Sequence, residues 1–187
     1  MRHMRRVSFA DMNCSIAQAL EIIGEWWTPL ILRDAFLGVT RFEEFHDRLG
    51  ISRNILSARL DTLVDAGVME RRTYEEARGR CDYVLTDMGR ELWPVLTTLR
   101  QWGDKWLLGE GNAPLALVHT TCGSRARAEL VCSECGEHLD RRDIRMVGGS
   151  NARGAVASET SSSLLGRDRP DPERVVAPDG GDPISRR

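Results

Sequence analysis

Residues 40–92 read TRFEEFHDRLGISRNILSARLDTLVDAGVMERRTYEEARGRCDYVLTDMGREL, and their punctuation decides the fold. Phe42, Phe45 and Leu49 recur at helical spacing between Arg41 and Leu49, with Thr40 placed to cap the segment and Gly50 to end it. A second helix follows at once. Ser52 stands at its N-cap, Leu56, Leu60, Leu63 and Val64 make its inward stripe, and Asp65-Ala66-Gly67 closes it. Val68 to Tyr74 and Cys81 to Leu85 then alternate in part around EEARGR, whose Gly79 suits a hairpin turn. Two helices joined by a tight break, then a two-stranded ribbon, predict a winged helix-turn-helix, mainly α with a small β-wing.

On the N-terminal side, Ile16, Ala19, Leu20 and Ile23 form an apolar stripe that stops at Gly24. Trp26, Trp27, Leu30, Ile31, Ala35 and Phe36 form a further apolar segment ending at Gly38, with Pro29 near its start, where a missing N–H is tolerated. On the C-terminal side, Thr86 and Asp87 can start a last helix through Leu92, Val95, Leu96, Leu99, Trp102 and Trp106. Pro94 predicts a kink or a later start. All eleven aromatic residues lie between Phe9 and Trp106, so the folded core is expected in residues 11–108, after a flexible N-terminus at 1–10. Residues 109–146 read as a smaller β-rich unit. Residues 147–187 have no aromatic and carry four of the seven prolines, and such a segment buries too little apolar surface to offset its ordering entropy; it reads as a disordered tail.

The chain has 187 residues and a formal net charge of −2, with a pI near 6.1. That balance excludes a protein that coats nucleic acid through overall charge, so a DNA binder of this composition must gather its cations on one face. Lys105 is the only lysine, which we read as coding bias and not as a functional signal. No stretch approaches the ~20 apolar residues that span a bilayer, and no apolar segment follows the first arginines, so a soluble cytoplasmic protein is expected. Five cysteines, an odd number without a secretion signal, argue for thiols or metal ligands and against a disulfide framework. No nucleophile–base pair or phosphate-binding loop is visible, which argues against an enzyme.

The second helix of such a motif presents its N-terminal part to the major groove. Here that part is Ser52, Arg53 and Asn54, continuing to Ser57 and Arg59. Arginine can donate two hydrogen bonds to guanine and asparagine can pair in bidentate fashion with adenine. Arg71, Arg72, Arg78 and Arg80 flank the hairpin, where they suit phosphates or the minor groove. Residues 48–80 hold seven arginines and five carboxylates, a local net charge of +2, so contacts doubled by a dimer are expected to be needed. The other reading of the same pattern is a solvated helix and charged hairpin serving protein–protein contact.

Beyond residue 108, His119-x2-Cys122 and Cys132-x2-Cys135 are two ligand pairs of equal spacing, each ending in Cys-Gly. A Cys3His set suits structural zinc in a zinc-ribbon-like module, with His138 as the alternative fourth ligand. The competing reading is a hairpin with free thiols. In so short a unit with few large apolar groups, a metal would supply much of the folding energy. Four closed ligands, and no HExxH, leave no catalytic position.

Gly24, Trp27, Ile31, Leu32 and Arg33, then RFEEF at Arg41 to Phe45, GIS at Gly50 to Ser52, the segment Leu60 to Arg71, and YVLTDMGREL at Tyr83 to Leu92 form one ordered succession. Over residues 14 to 107 the chain resembles the HxlR-type transcriptional regulators, relatives of the MarR group. The resemblance implies a homodimeric winged helix-turn-helix that binds an operator, most simply as a repressor released by a small molecule or a redox or electrophile signal, with terminal helices packing across the dimer. It also points to Cys14 as a sensing thiol, since several such regulators use one N-terminal cysteine in this way; chemically, a thiol at a helix N-terminus can be activated, while the plain alternative is a small buried hydrophobe. Cys81 reads as strand filler. The chain departs from the family at Glu25 and Trp26, where a basic residue is common before the tryptophan. A winged-helix dimer without specific DNA affinity is the alternative function.

Overall fold

The computed structural model describes residues 8–75, 80–109 and 111–147. Helices α1 (Ser15–Ile23), α2 (Thr28–Phe36), α3 (Phe42–Leu49) and α4 (Arg53–Asp65) lead into an antiparallel pair, β1 (Met69–Glu75) and β2 (Arg80–Leu85). A short α5 (Asp87–Arg90) and a longer α6 (Trp93–Gly103) follow, and α6 runs into a π-helical turn, Asp104–Leu108. Ile31 and Leu32 of α2, Phe45 of α3 and Leu56, Leu60 and Leu63 of α4 are fully buried, closed over by Val68, Met69 and Tyr83 from the wing. This is a winged helix-turn-helix, mainly α with a small β-wing.

Local chemistry explains most boundaries. The N–H of Ile55 donates to the Ser52 hydroxyl at 3.4 Å, which makes Ser52 the N-cap of α4 as expected. Gly50 ends α3 in the left-handed region with φ +64°. Thr40 does not cap α3, contrary to expectation. Its hydroxyl donates to Asp82 at 3.1 Å and its carbonyl accepts from the Tyr83 N–H at 2.7 Å, so the residues before α3 are drawn to the outer edge of the wing. The strands pair with Met69 opposite Leu85 and Arg71 opposite Tyr83, with an irregularity between Thr73 and Glu75. The turn itself, with Gly79, lies outside the described residues.

Of the kink and the later start that Pro94 predicts for the last helix, the structure shows the later start. Thr86 caps α5 by accepting from the Gly89 N–H at 3.2 Å, while its hydroxyl donates to the Gly67 carbonyl at 2.6 Å. The chain turns at Glu91 and Leu92 and restarts at Trp93, with Pro94 in the first turn of α6, where it sacrifices no intrahelical hydrogen bond. Thus Pro94 opens a helix and kinks none. Trp26, expected in the second apolar segment, precedes α2 and is 91% exposed.

Beyond Gly109, two small hairpins follow. In one, β3 (Leu117–Val118) pairs with β4 (Arg125–Ala126). In the other, Val131 bridges His138, and the Leu139 N–H donates to the Leu130 carbonyl at 2.9 Å. A 3-10 turn, Arg141–Asp143, closes the segment. Gln101 of α6 clasps the hairpins, since its side chain both donates to the Ala128 carbonyl (2.9 Å) and accepts from the Ala128 N–H (2.6 Å). Arg100 adds a bond to the Leu115 carbonyl at 2.8 Å. The expected disordered tail, residues 147–187, lies outside the described residues from 148 onward. Among the described residues no helix is long and apolar enough to cross a membrane.

Candidate nucleic-acid interface

At 100° per residue, burial of Leu56, Leu60 and Leu63 fixes the orientation of α4. The opposite face carries Asn54, Ala58 and Thr62, with Arg53 and Ser57 on one flank and Ile55 and Arg59 on the other. Ser52, Arg53 and Asn54 are exposed at the N-terminal end of this face, where the backbone N–H groups of the first turn also point outward. Among the described residues, Asn54 has no side-chain partner, which leaves its amide free for an adenine edge.

Every expected arginine whose side chain is described is held by a carboxylate that the sequence reading did not pair with it. Arg53 makes a two-pronged bond to Glu43 of α3, at 2.8 and 2.6 Å, and its guanidinium lies 5.7 Å from the Phe42 ring centroid. Hydrogen bonding to Arg53 lowers the Glu43 pKa, and the same bond raises that of Arg53, so the pair stays charged at neutral pH. Arg71 pairs with Asp61 of α4 and lies 5.7 Å from the Tyr83 ring centroid; Arg72 pairs with Glu70 at 2.7 Å. Burial pushes the Tyr83 phenol up, which keeps it protonated beside Arg71.

Arg59 is different in kind. Its side chain is 27% exposed and reaches Glu25, in the connection between α1 and α2, at 3.2 Å, so it braces that connection from the rear flank of α4. Ser57 is half-buried, with its hydroxyl 3.5 Å from Asp61, the carboxylate that also holds Arg71. Arg78 and the side chain of Arg80 lie outside the described residues. The pairs at Arg53, Arg71 and Arg72 are exposed to water, which screens them, so phosphate or a base edge can displace the carboxylate at little expense. Sequence spacing gives no hint of Glu43 and Arg53, ten positions apart on different helices. Another unforeseen group is Asp34 of α2, fully buried and flanked by Arg33 (2.8 Å) and by Arg48 of α3 (3.3 Å), an ionic bridge that ties α2 to α3.

Cys14 is the exposed N-cap residue of α1, and its thiol is free. Cys81 sits half-buried in β2 against the core, as strand filler would. In the hairpins, His119 and Cys122 lie in one turn, with Nδ1 and Sγ 3.4 Å apart, and Cys132 and Cys135 lie in the other. Hydrogen bonds from the Ser124 backbone and hydroxyl lower the Cys122 pKa, and backbone N–H groups of Cys135 and Glu134 lower that of Cys132. His138 lies just past the second turn, in an isolated β-bridge to Val131 and 3.5 Å from Glu129. The four expected ligands therefore stand as two pairs; among the described residues no three metal-binding side chains are gathered around one point.

Comparison with known proteins bears on both parts of the chain. The family profile of the HxlR-like helix-turn-helix matches residues 22–110. The uncharacterised HTH-type transcriptional regulator Rv3095 of Mycobacterium tuberculosis is 42% identical over 144 residues, 77% of this chain and 91% of that one. An alignment of that length reaches past Gly109 wherever it starts, so it takes in the hairpins; a regulator of the same description from Synechocystis, sll1512, is 36% identical over 95 residues, 50% of this chain and 70% of its own. Among solved structures, PA1607, described as a candidate transcription factor, superposes with a TM-score of 0.67 at 38% identity, covering 75% of this chain and 99% of that one. The winged helix-turn-helix and these relatives agree: the chain belongs to the HxlR-like helix-turn-helix family of DNA-binding transcriptional regulators.

Proposed function

We propose that this regulator binds a two-fold symmetric operator as a homodimer and represses transcription there, and that a small molecule or modification of Cys14 releases it. The observation that carries the dimer is the outward apolar stripe of the last helix. Val95, Leu99, Trp102 and Trp106 recur at helical spacing, and each is about half exposed, while Leu92 and Leu96 of the same segment pack on the core. Helix α1 does the same with Ile16 and Leu20, exposed by 71% and 40%. Two tryptophans and four aliphatic side chains left at helical spacing form the kind of surface a partner covers.

A second copy suits this surface because one reading helix, with Arg53, Arg71 and Arg72 each shared with a carboxylate, offers a single protomer little grip on DNA. Two copies present two such helices, about 34–36 Å apart for adjacent major grooves on one face of the duplex. Light scattering should give twice the 21.0 kDa chain mass. Leu99→Asp should give monomers that keep their helical content and lose about a hundredfold or more in operator affinity, as loss of a second tethered site implies. A monomeric wild type would refute the reading. For the signal, Cys14 lies two positions ahead of Ile16 at the head of α1, so an oxidised or alkylated thiol would disturb the same surface. Cys14→Ser should bind DNA normally and fail to release it under oxidant, and a reporter behind the operator should then stay silent.

A further inference from the structure

The two turns of the C-terminal hairpins are copies of one another. In the first, the His119 N–H donates to the Ser124 carbonyl (2.9 Å) and the Gly123 N–H returns to the His119 carbonyl (2.8 Å). In the second, the Cys132 N–H donates to the Glu137 carbonyl (2.8 Å) and the Gly136 N–H returns to the Cys132 carbonyl (2.9 Å). The fifth residue of each turn is a glycine in the left-handed region, Gly123 at φ +70° and Gly136 at φ +76°, a conformation a side chain would resist. Each frame presents its first and fourth residues together: His119 with Cys122, Cys132 with Cys135.

The spacing inside the first pair fits coordination. Ligands at about 2.0–2.1 Å (nitrogen) and about 2.3 Å (sulfur) from one zinc ion stand about 3.6 Å apart at a tetrahedral angle, and Nδ1 of His119 is 3.4 Å from Sγ of Cys122. His138 occupies no equivalent position; it lies outside both turn frames, in an isolated β-bridge to Val131 and beside Glu129. Apart from these backbone bonds and the contacts from Arg100 and Gln101, the described hairpin residues have no apolar packing to hold them. No side chain described in residues 111–147 is buried, and Leu115, Val118, Leu130 and Val131 are each at least half exposed. Two copied turns that offer a soft ligand pair each, on a segment without a core, make a site that an ion completes.

We propose that one divalent ion of the zinc class binds His119, Cys122, Cys132 and Cys135, drawing the two turns together and giving the hairpins the cohesion that apolar packing does not supply. The full-length protein loaded with cobalt(II) tests it. The expected results are one ion per chain, the intense visible absorption of a tetrahedral sulfur-ligated site, and protection of Cys122, Cys132 and Cys135, but not Cys14, from a thiol reagent as mapped by mass spectrometry. His119→Ala should abolish the tetrahedral spectrum and His138→Ala should leave it intact, with circular dichroism confirming that both variants keep the winged domain. Less than half an ion per chain, a weak octahedral spectrum, or equal labelling of all thiols with and without metal would overturn the site. The reverse behaviour of the two histidine variants would overturn the ligand set.

Discussion

The winged domain and the hairpins behind it are held in opposite ways. In the first, Ile31, Leu32, Phe45, Leu56, Leu60 and Leu63 are fully buried, so the backbone follows from which side chains leave water. In the second no described side chain is buried, and order comes from two copied turn frames and a clasp by Gln101. One region can lose a polar contact and keep its fold, while the other has little besides polar contacts. The join is Arg100 and Gln101, in the same helix whose outer face carries Leu99 and Trp102.

The contrast can be broken most sharply in the core. Leu60→Ala should destabilise the winged domain by about 2–5 kcal/mol, read as a lowered denaturant midpoint, whereas Leu130→Ala, 64% exposed, should change it by less than about 0.5 kcal/mol. Equal effects would erase the distinction. Next in size, Arg53→Ala or Asn54→Ala should remove about 1–3 kcal/mol of operator affinity and far less from random DNA at the same salt, with stability unchanged; parallel losses on both DNAs would assign these residues to general charge. Gln101→Ala deletes both bonds to Ala128 and should weaken the clasp by about 1 kcal/mol, visible as faster proteolysis within residues 111–145 while the winged domain stays resistant. The smallest effect is expected from Glu43→Gln, which frees Arg53 from its partner. Affinity for random DNA should rise slightly, and the margin between operator and random DNA should narrow.

How much of this was legible in the sequence follows from what periodicity can report. It located α2, α3 and α4 and the inward residues Phe45, Leu56, Leu60 and Leu63, because a buried stripe and a terminating glycine agree in each and the Ser52 cap agrees in α4. It found the stripes Ile16–Leu20 and Val95–Leu99–Trp102–Trp106 and could not tell which way they face. An apolar stripe at helical spacing looks the same whether it meets its own core or another chain. Pairings across elements were invisible for the same reason. Glu43 with Arg53, Asp61 with Arg71 and Glu25 with Arg59 are set by helix packing, so a surface read as arginine-rich is one in which each described arginine already has a partner. Thr40 has the right chemistry for a helix cap, but Asp82 on the neighbouring strand takes its hydroxyl. In the hairpins the equal spacing of the two ligand pairs was visible at once, whereas the shared hydrogen-bond frame behind it needed the fold.

Operator binding by this chain, as proposed, depends on α4 helices that work in pairs. A footprint on the DNA upstream of the gene for this chain, made with wild type and with Leu99→Asp, tests it directly. Wild type should protect two inverted half-sites centred one helical turn, about 34–36 Å, apart, and Leu99→Asp should protect neither at the same concentration. A single unrepeated site, protected equally by both proteins, would contradict it.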